Sequence, residues 1–308
     1  MRPVSRSLAV LLLAALAAPT SAYQEQASSA FRSQANLVVL PVAVLDKRSM
    51  LVPGLTKDQF VIYEDGVRQD IQFFVSEDRP VAVGLVVDNS MSMMNKRESV
   101  VAAADAFARS SNPEDALFTM NFNEQSWLGL PENVPFTSDR SLLHETLVGL
   151  HARGRTALYD GLSAALDHVV LSPLDRHVLI LVSDGGDNGS RLALREILEK
   201  VRRSSTTIYV VGVFDDFSGG DKKALKAVAS ASGGVAFFPR DAGEARAALE
   251  RIAAEIRMSY SVGYVSTNAR QDGTYRKVSV VVLDKSSHRP LTVRFREGYT
   301  ASPGQGRH

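Results

Sequence analysis

The middle of the chain contains four long runs of apolar residues, at positions 81–87, 117–122, 178–182 and 208–213. Each run is nearly apolar throughout, which indicates a β-strand that is buried on both faces. Between the runs, apolar residues recur at the spacing of one helical face, as at Leu158, Leu162, Ala165, Leu166 and Val169. Strands that alternate with amphipathic helices, from about residue 80 to 257, predict an α/β fold with a doubly wound, mostly parallel sheet.

Strand-like segments flank this region on both sides. Before it, Asp65-Gly66 separates two apolar runs at 59–63 and 71–75, which predicts a β-hairpin, and a further run covers 37–45. After it, three runs again have the pattern of strands, at 260–264, 275–283 and 291–295.

The two flanking segments are each too small to bury a hydrophobic core of their own. We therefore predict that they pair with one another into a small β-sandwich, with the α/β domain inserted between them. The expected parts are an N-terminal β segment at 23–78, the α/β domain at 79–257, a C-terminal β segment at 258–300 and a flexible tail at 301–308.

The first 22 residues have the pattern of a secretory signal peptide. Arg2 and Arg6 precede an apolar run at 8–18, and small residues up to Ala22 offer a cleavage site. The run is shorter than the about 20 residues that span a bilayer. We expect an exported protein, periplasmic or extracellular, with no membrane span after cleavage.

Composition narrows the chemistry that this chain can perform. The 308 residues include no cysteine, which excludes disulfides, thiolate zinc sites, iron–sulfur clusters and cysteine nucleophiles. Any metal ion must therefore be held by oxygen or imidazole ligands. The 35 Lys and Arg residues nearly balance the 34 Asp and Glu residues, so the charge gives no indication of nucleic acid as a partner.

Oxygen-bearing side chains follow two of the buried strands and open one of the helices. Asp88-Asn89-Ser90-Met91-Ser92 follows the first strand, Asp184 follows the third, and Thr156 lies in the loop before the helix at 158–169. In a doubly wound sheet these ends meet at the crevice where ligands bind. Two carboxylates and three hydroxyls suit a hard cation, best Mg²⁺, with Mn²⁺ or Ca²⁺ as alternatives.

Each of these residues, taken alone, also has an ordinary structural interpretation. Asp88 and Ser90 are common residues at turns and helix starts, and Thr156 is a common N-cap. Asp184, which precedes two glycines, is equally consistent with a turn. The metal site is favoured because all three segments are expected at the same crevice.

The pattern Asp88-x-Ser90-x-Ser92, with Thr156 and Asp184, resembles the metal-ion-dependent adhesion site of von Willebrand factor type A domains. The flanking segments at 55–66, 275–278 and 296–299 resemble those of a bacterial exported subfamily of these proteins.

This resemblance implies a six-stranded doubly wound sheet and a role in protein binding or adhesion. It also implies that Ser90, Ser92 and Thr156 bind the cation directly, and that Asp88 and Asp184 act directly or through water. An Asp or Glu carboxylate of the partner protein then completes the shell of the cation.

Two other functions remain open at this point. Asp88 at the end of the first strand also fits the aspartyl nucleophile of a Mg²⁺-dependent phosphotransferase or hydrolase. Such enzymes normally have a second Asp where this chain has Ser90, and the sequence indicates no lysine placed to bind a phosphate. The other alternative is a structural scaffold with a vestigial metal site. We expect a binding protein and no enzyme.

Three further charged residues are expected at the rim of the crevice. Arg155 lies beside Thr156, Asp187 follows Asp184 closely, and Asp215 follows the fourth strand. Each is a candidate for partner binding, and each is also consistent with a solvated loop residue.

Overall fold

The computed structural model describes residues 37–76, 78–148, 152–214, 220–270, 272–285 and 289–301. The predicted signal peptide, residues 302–308 of the predicted tail and Asp215 lie outside the described residues. Strands β1 to β14 are, in chain order, Leu37–Leu45, Phe60–Glu64, Val67–Gln69, Ile71–Val75, Ala82–Asp88, Ala116–Phe122, Ser126–Leu128, His177–Ser183, Thr207–Gly212, Ala236–Phe237, Tyr260–Val265, Tyr275–Val282, Thr292–Arg294 and Gly298–Thr300.

The helices lie between the strands of the middle region. Within the described residues, helices α1 to α6 are Arg97–Ser110, Arg140–Glu145, Leu158–Val169, Leu194–Arg203, Lys222–Ser232 and Ala242–Met258. Two 3₁₀ helices cover Lys57–Gln59 and Met91–Lys96. In the part of the chain that the structure describes, no helix combines the length and the apolar character that crossing a membrane requires.

Six strands form one sheet in the order β10-β9-β8-β5-β6-β7. All neighbouring pairs are parallel except the edge strand β7, which runs antiparallel to β6. The predicted doubly wound, mostly parallel sheet is therefore confirmed. Strand β5 lies between β6 and β8, so the chain leaves β5 on one side and later returns on the other. This order creates the crevice at the carboxyl ends of β5 and β8.

Both faces of the sheet are covered by helices. One apolar core joins Val83, Leu85 and Val87 of β5 to side chains of α1 and α6, including Phe107 and Ile252. On the opposite face, a second core joins the sheet to α3, α4 and α5, through Leu162, Ile197, Leu225 and their neighbours. Burial on both faces explains why the strands read as continuous apolar runs.

The other eight described strands form two four-stranded sheets, in the orders β13-β1-β11-β4 and β14-β12-β2-β3. Each sheet combines strands that precede the α/β region with strands that follow it. Side chains of both sheets share one apolar core, which includes Leu40, Val42, Ile62, Val262, Val278 and Val280. The two flanking segments thus form the predicted β-sandwich together.

The predicted hairpin exists, but its second strand was predicted in the wrong place. Asp65 and Gly66 have φ angles of 48° and 82°, as a tight two-residue hairpin turn requires. A turn this short places the very next residues opposite β2, so β3 pairs with it. Strand β4, which was expected there, instead pairs antiparallel with β11 in the other sheet.

A buried ion pair with three hydroxyl donors connects four strands of the sandwich. The carboxylate of Glu64 accepts hydrogen bonds from the hydroxyls of Tyr264 and Tyr299, both at 2.8 Å, and from Ser266 at 2.6 Å. The guanidinium of Arg276 lies 3.2 Å from the same carboxylate, and both charged side chains are at most 3% exposed. The full set of donors is what makes a buried carboxylate tolerable here.

We predict that Arg276→Met lowers the free energy of unfolding by about 3–5 kcal/mol, because it leaves the charge of Glu64 buried without its counterion. Urea unfolding of the full chain measures the change. The control is Arg246→Met, which breaks an exposed pair with Glu250 and should change the same quantity by less than about 0.5 kcal/mol. Equal effects of the two substitutions would contradict a structural role for the buried pair.

Candidate metal centre

The candidate site lies where β5 and β8 end side by side. Val87 and Val182 are paired neighbours in these two strands. Asp88 is the last residue of β5, and Asp184 directly follows the last residue of β8, Ser183. The sheet register therefore brings the two predicted carboxylates to the same edge. Both are buried, at 1% and 3% exposure.

Asp88 is fixed by hydrogen bonds to both of its carboxylate oxygens. Its Oδ1 accepts the backbone N–H of Ser90 at 2.9 Å, and its Oδ2 accepts the hydroxyl of Ser183 at 2.6 Å. Burial raises the pKa of Asp88 and the charge of Asp184 acts in the same direction, whereas the bonds from Ser183 and Ser90 lower it. Asp88 is thus held in place by one hydrogen bond to each carboxylate oxygen, and each oxygen can still accept a further partner.

Two of the predicted hydroxyl ligands lie next to each other. The Oγ atoms of Ser90 and Ser92 are 3.1 Å apart. Ser90 is buried, whereas Ser92 is exposed in the 3₁₀ helix Met91–Lys96. The site is therefore open to solvent on the side of Ser92.

The Thr156 loop is bonded to both other loops through the backbone. Met91 N–H donates to the carbonyl of Gly154 at 3.2 Å. This bond joins the Thr156 loop to the first loop, which follows β5 and carries Ser90 and Ser92. Asn188 N–H donates to the carbonyl of Thr156, and the Asn188 side chain accepts Thr156 N–H, each at 2.9 Å. All five predicted ligands are therefore carried by three mutually bonded loops, and Thr156 is itself buried.

The donor set fits a hard divalent cation. Mg²⁺ requires oxygen ligands in a nearly octahedral arrangement at about 2.0–2.1 Å, so adjacent ligands lie about 2.9 Å apart. The 3.1 Å separation of the Ser90 and Ser92 hydroxyls is close to that value. Within the described ranges, no group of three or more His, Asp or Glu side chains forms a metal site.

A lysine also enters the site, and the sequence interpretation missed it. The Nζ atom of Lys96 lies 3.2 Å from Oδ2 of Asp184, and the side chain is only 8% exposed. The reason is the 3₁₀ helix, in which residues three apart share one face. Ser90, Met93 and Lys96 are all buried on this face. A period of three in this segment is the signal that could have revealed the lysine.

Lys96 corrects one argument against an enzyme. The sequence interpretation found no lysine placed to bind a phosphate, whereas the structure brings one lysine to this site. The other objection remains, because Ser90 stands where a phosphotransferase normally has a second carboxylate. In this structure the ammonium group of Lys96 contacts the carboxylate of Asp184.

A network of hydrogen bonds holds Asn89, the residue between Asp88 and Ser90 in the first loop. The Asn89 side chain donates to Asn121 Oδ1 at 3.0 Å and accepts a hydrogen bond from the guanidinium of Arg97. Arg97 also donates to the carbonyl of Leu147 at 2.8 Å. These contacts fix the residue between Asp88 and Ser90, although none of them reaches the predicted ligands.

The predicted rim residues have different surroundings. Arg155 is exposed beside Thr156, as expected for a rim residue. Asp187 is half-buried, and its Oδ1 accepts the backbone N–H of Leu158 at 2.9 Å and the hydroxyl of Ser190 at 2.5 Å. Helix α3 follows Ala157, which has no side-chain acceptor, so Asp187 caps this helix from another loop. Asp215 lies outside the described residues.

The sequence profile of the von Willebrand factor type A domain matches residues 83–255, which is more than half of the chain. The chain belongs to the von Willebrand factor type A domain family. Domains of this family mediate protein interactions, so the α/β region is a protein-interaction module. The comparison with curated proteins found no match.

Two solved structures have a fold similar to that of this chain. A von Willebrand factor type A protein from Catenulispora acidiphila is 14% identical, with a TM-score of 0.53, over 87% of this chain and 74% of that one. Proximal thread matrix protein 1 from the mussel byssus is 18% identical, with a TM-score of 0.51, over 63% of this chain and 50% of that one. At these identities the similarity concerns the fold alone.

We predict that Asp187→Ala lowers the free energy of unfolding by about 1 kcal/mol, because helix α3 of the von Willebrand factor type A domain loses its cap. Chemical denaturation measures this change. Asp175→Ala is the matched control, since the Asp175 side chain is 86% exposed and 3.9 Å from Arg79. If both variants were as stable as the original chain, Asp187 would have no capping role.

Proposed function

We propose that this chain binds a divalent cation, preferably Mg²⁺, through Asp88, Ser90, Ser92, Thr156 and Asp184. The bound cation then recognises an Asp or Glu carboxylate of a protein partner. The main support is the pair of Ser90 and Ser92 hydroxyls, 3.1 Å apart, which directly follow the buried Asp88, with the buried Asp184 at the end of the neighbouring strand. Mn²⁺ and Ca²⁺ are alternative cations with the same preference for oxygen ligands.

The chemistry of these ligands favours binding over catalysis. Hydroxyl ligands are neutral, so the cation keeps part of its positive charge toward solvent. The solvent side of the site is marked by Ser92, the exposed member of the set. A carboxylate that approaches from this side gains a charge-assisted contact with the cation. The cation would supply this electrostatic contact, and the ligand side chains of the protein would hold the cation in position.

The rim adds a positive charge to the approach of an acidic partner. Arg155 is exposed directly beside Thr156. Long-range attraction of this kind raises association rates and weakens with added salt. We propose Arg155 as a contributor to partner capture, and Asp215 as a residue of the same rim.

Export is part of the proposal and rests on the sequence. The pattern of Arg2, Arg6, the apolar run at 8–18 and the small residues up to Ala22 is that of a secretory signal peptide. We propose a periplasmic or extracellular location on this basis.

We predict that Mg²⁺ raises the melting temperature of the full chain and that Ser92→Ala removes the increase. A cation at one hundred times its dissociation constant stabilises by about 2.7 kcal/mol. Ser92 is exposed, so its replacement leaves the packing of the core unchanged. Differential scanning calorimetry with Mg²⁺, Mn²⁺, Ca²⁺ and chelator measures the shift.

Ser230→Ala is the control for this experiment, because Ser230 is an exposed serine within helix α5. It should retain the full response to Mg²⁺. The same three proteins serve as bait for envelope proteins, first with Mg²⁺ and then with chelator. Capture by the original chain and by Ser230→Ala, but not by Ser92→Ala, is the expected result. No stabilisation by any of the three cations would leave only the scaffold function.

The phosphotransferase alternative has one structural point in its favour, the position of Lys96 beside Asp184. We nevertheless predict no turnover of p-nitrophenyl phosphate with Mg²⁺, because the position of the second carboxylate is occupied by Ser90. The assay compares the original chain with Asp88→Asn, and both should equal the background. Turnover that disappears in Asp88→Asn would establish an enzyme instead.

A further inference from the structure

We infer that Lys96 is the internal counterion of the cation-free site, and that a divalent cation binds by displacing its ammonium group from Asp184. This inference rests on the proposed function, since it concerns the same site. It assigns to Lys96 a role in setting cation affinity. Lys96 is not one of the five predicted ligands.

The first observation is the position of the charge. Lys96 Nζ lies 3.2 Å from Asp184 Oδ2, a distance at which the pair is in direct contact. The two side chains are only 8% and 4% exposed. A buried carboxylate requires a compensating charge or donors. In the absence of a metal ion, Lys96 provides this compensation for Asp184.

The second observation is that the ammonium group and the cation need the same carboxylate. Asp88 already uses both oxygens for hydrogen bonds to Ser90 N–H and the Ser183 hydroxyl. Asp184 is therefore the carboxylate more available to a cation, and it is the one that Lys96 contacts. A positive ammonium and a divalent cation repel each other strongly at close range in a poorly solvated site. Binding of the cation at Asp184 thus requires the ammonium group of Lys96 to leave this carboxylate.

The third observation is that solvent lies beside the segment that carries the lysine. Lys96 ends the 3₁₀ helix Met91–Lys96, and the two residues before it, Met94 and Asn95, are exposed. A lysine side chain can keep its aliphatic part packed while its ammonium group reaches water. We expect release of Lys96 from Asp184 to move its side chain toward these exposed neighbours while the helix stays folded.

The test compares Lys96→Met and Lys96→Gln with the original chain. Methionine keeps the apolar volume of the stem, and glutamine keeps a hydrogen-bond donor for Asp184 without the charge. Mg²⁺ and Mn²⁺ dissociation constants are measured by isothermal titration calorimetry. We expect at least tenfold tighter binding in both variants, together with a lower melting temperature in chelator, since Asp184 has lost its counterion.

Lys200→Met is the matched control, because Lys200 forms an ion pair of 2.7 Å with Asp167, at a distance from the site in sequence and on other helices. It should bind the cations as the original chain does. Unchanged or weaker cation binding in both Lys96 variants, while the original chain binds and Ser92→Ala does not, would overturn this inference and leave the proposed function standing. Absence of cation binding by every protein, the original chain included, would overturn both.

A second measurement uses the unmodified sequence, so it does not depend on the folding of a variant. Amine acetylation followed by mass spectrometry reports how accessible each lysine is. We expect acetylation of Lys96 to increase severalfold when Mg²⁺ is added, whereas that of Lys200 stays constant. Equal labelling of Lys96 with and without Mg²⁺, in a protein that calorimetry shows to bind the cation, would contradict displacement.

Discussion

The burial of two negative charges at the ends of adjacent strands is the constraint on which the rest of this site depends. Asp88 and Asp184 follow β5 and β8, where the parallel register leaves them side by side and shielded from water. Burying a carboxylate without partners is costly, and two together repel each other. The surrounding loops therefore have to supply donors and positive charge.

The negative charges of the two aspartates are stabilised in different ways. Asp88 is bound by neutral donors, the hydroxyl of Ser183 and the N–H of Ser90. Asp184 is paired with the ammonium of Lys96. One carboxylate thus positions the loop, while the other is held by a charge that can be exchanged. In the proposed function, the cation would take the place of this exchangeable charge beside Asp184.

Much of this arrangement follows from the sequence, because its signals are long or specific. Continuous apolar runs predicted the strands of the central sheet, and strand ends predicted where Asp88 and Asp184 lie. Short elements were missed for a physical reason: β10 has two residues and β14 has three, too few for a periodic pattern. Lys96 was missed because a 3₁₀ helix, with its period of three, was not anticipated. The capping role of Asp187 depends on contact between loops, which spacing along the chain does not encode.

In the proposed site, five oxygen-bearing side chains on three loops hold one cation. Anomalous diffraction from a crystal of the chain grown with Mn²⁺ tests it most directly, since the metal is located independently of any assumption about its ligands. We predict a single strong anomalous peak within coordination distance of the Ser90 and Ser92 hydroxyls, with the Lys96 ammonium no longer in contact with Asp184. A fully ordered site with no anomalous peak, or a peak bound elsewhere on the protein, would contradict it.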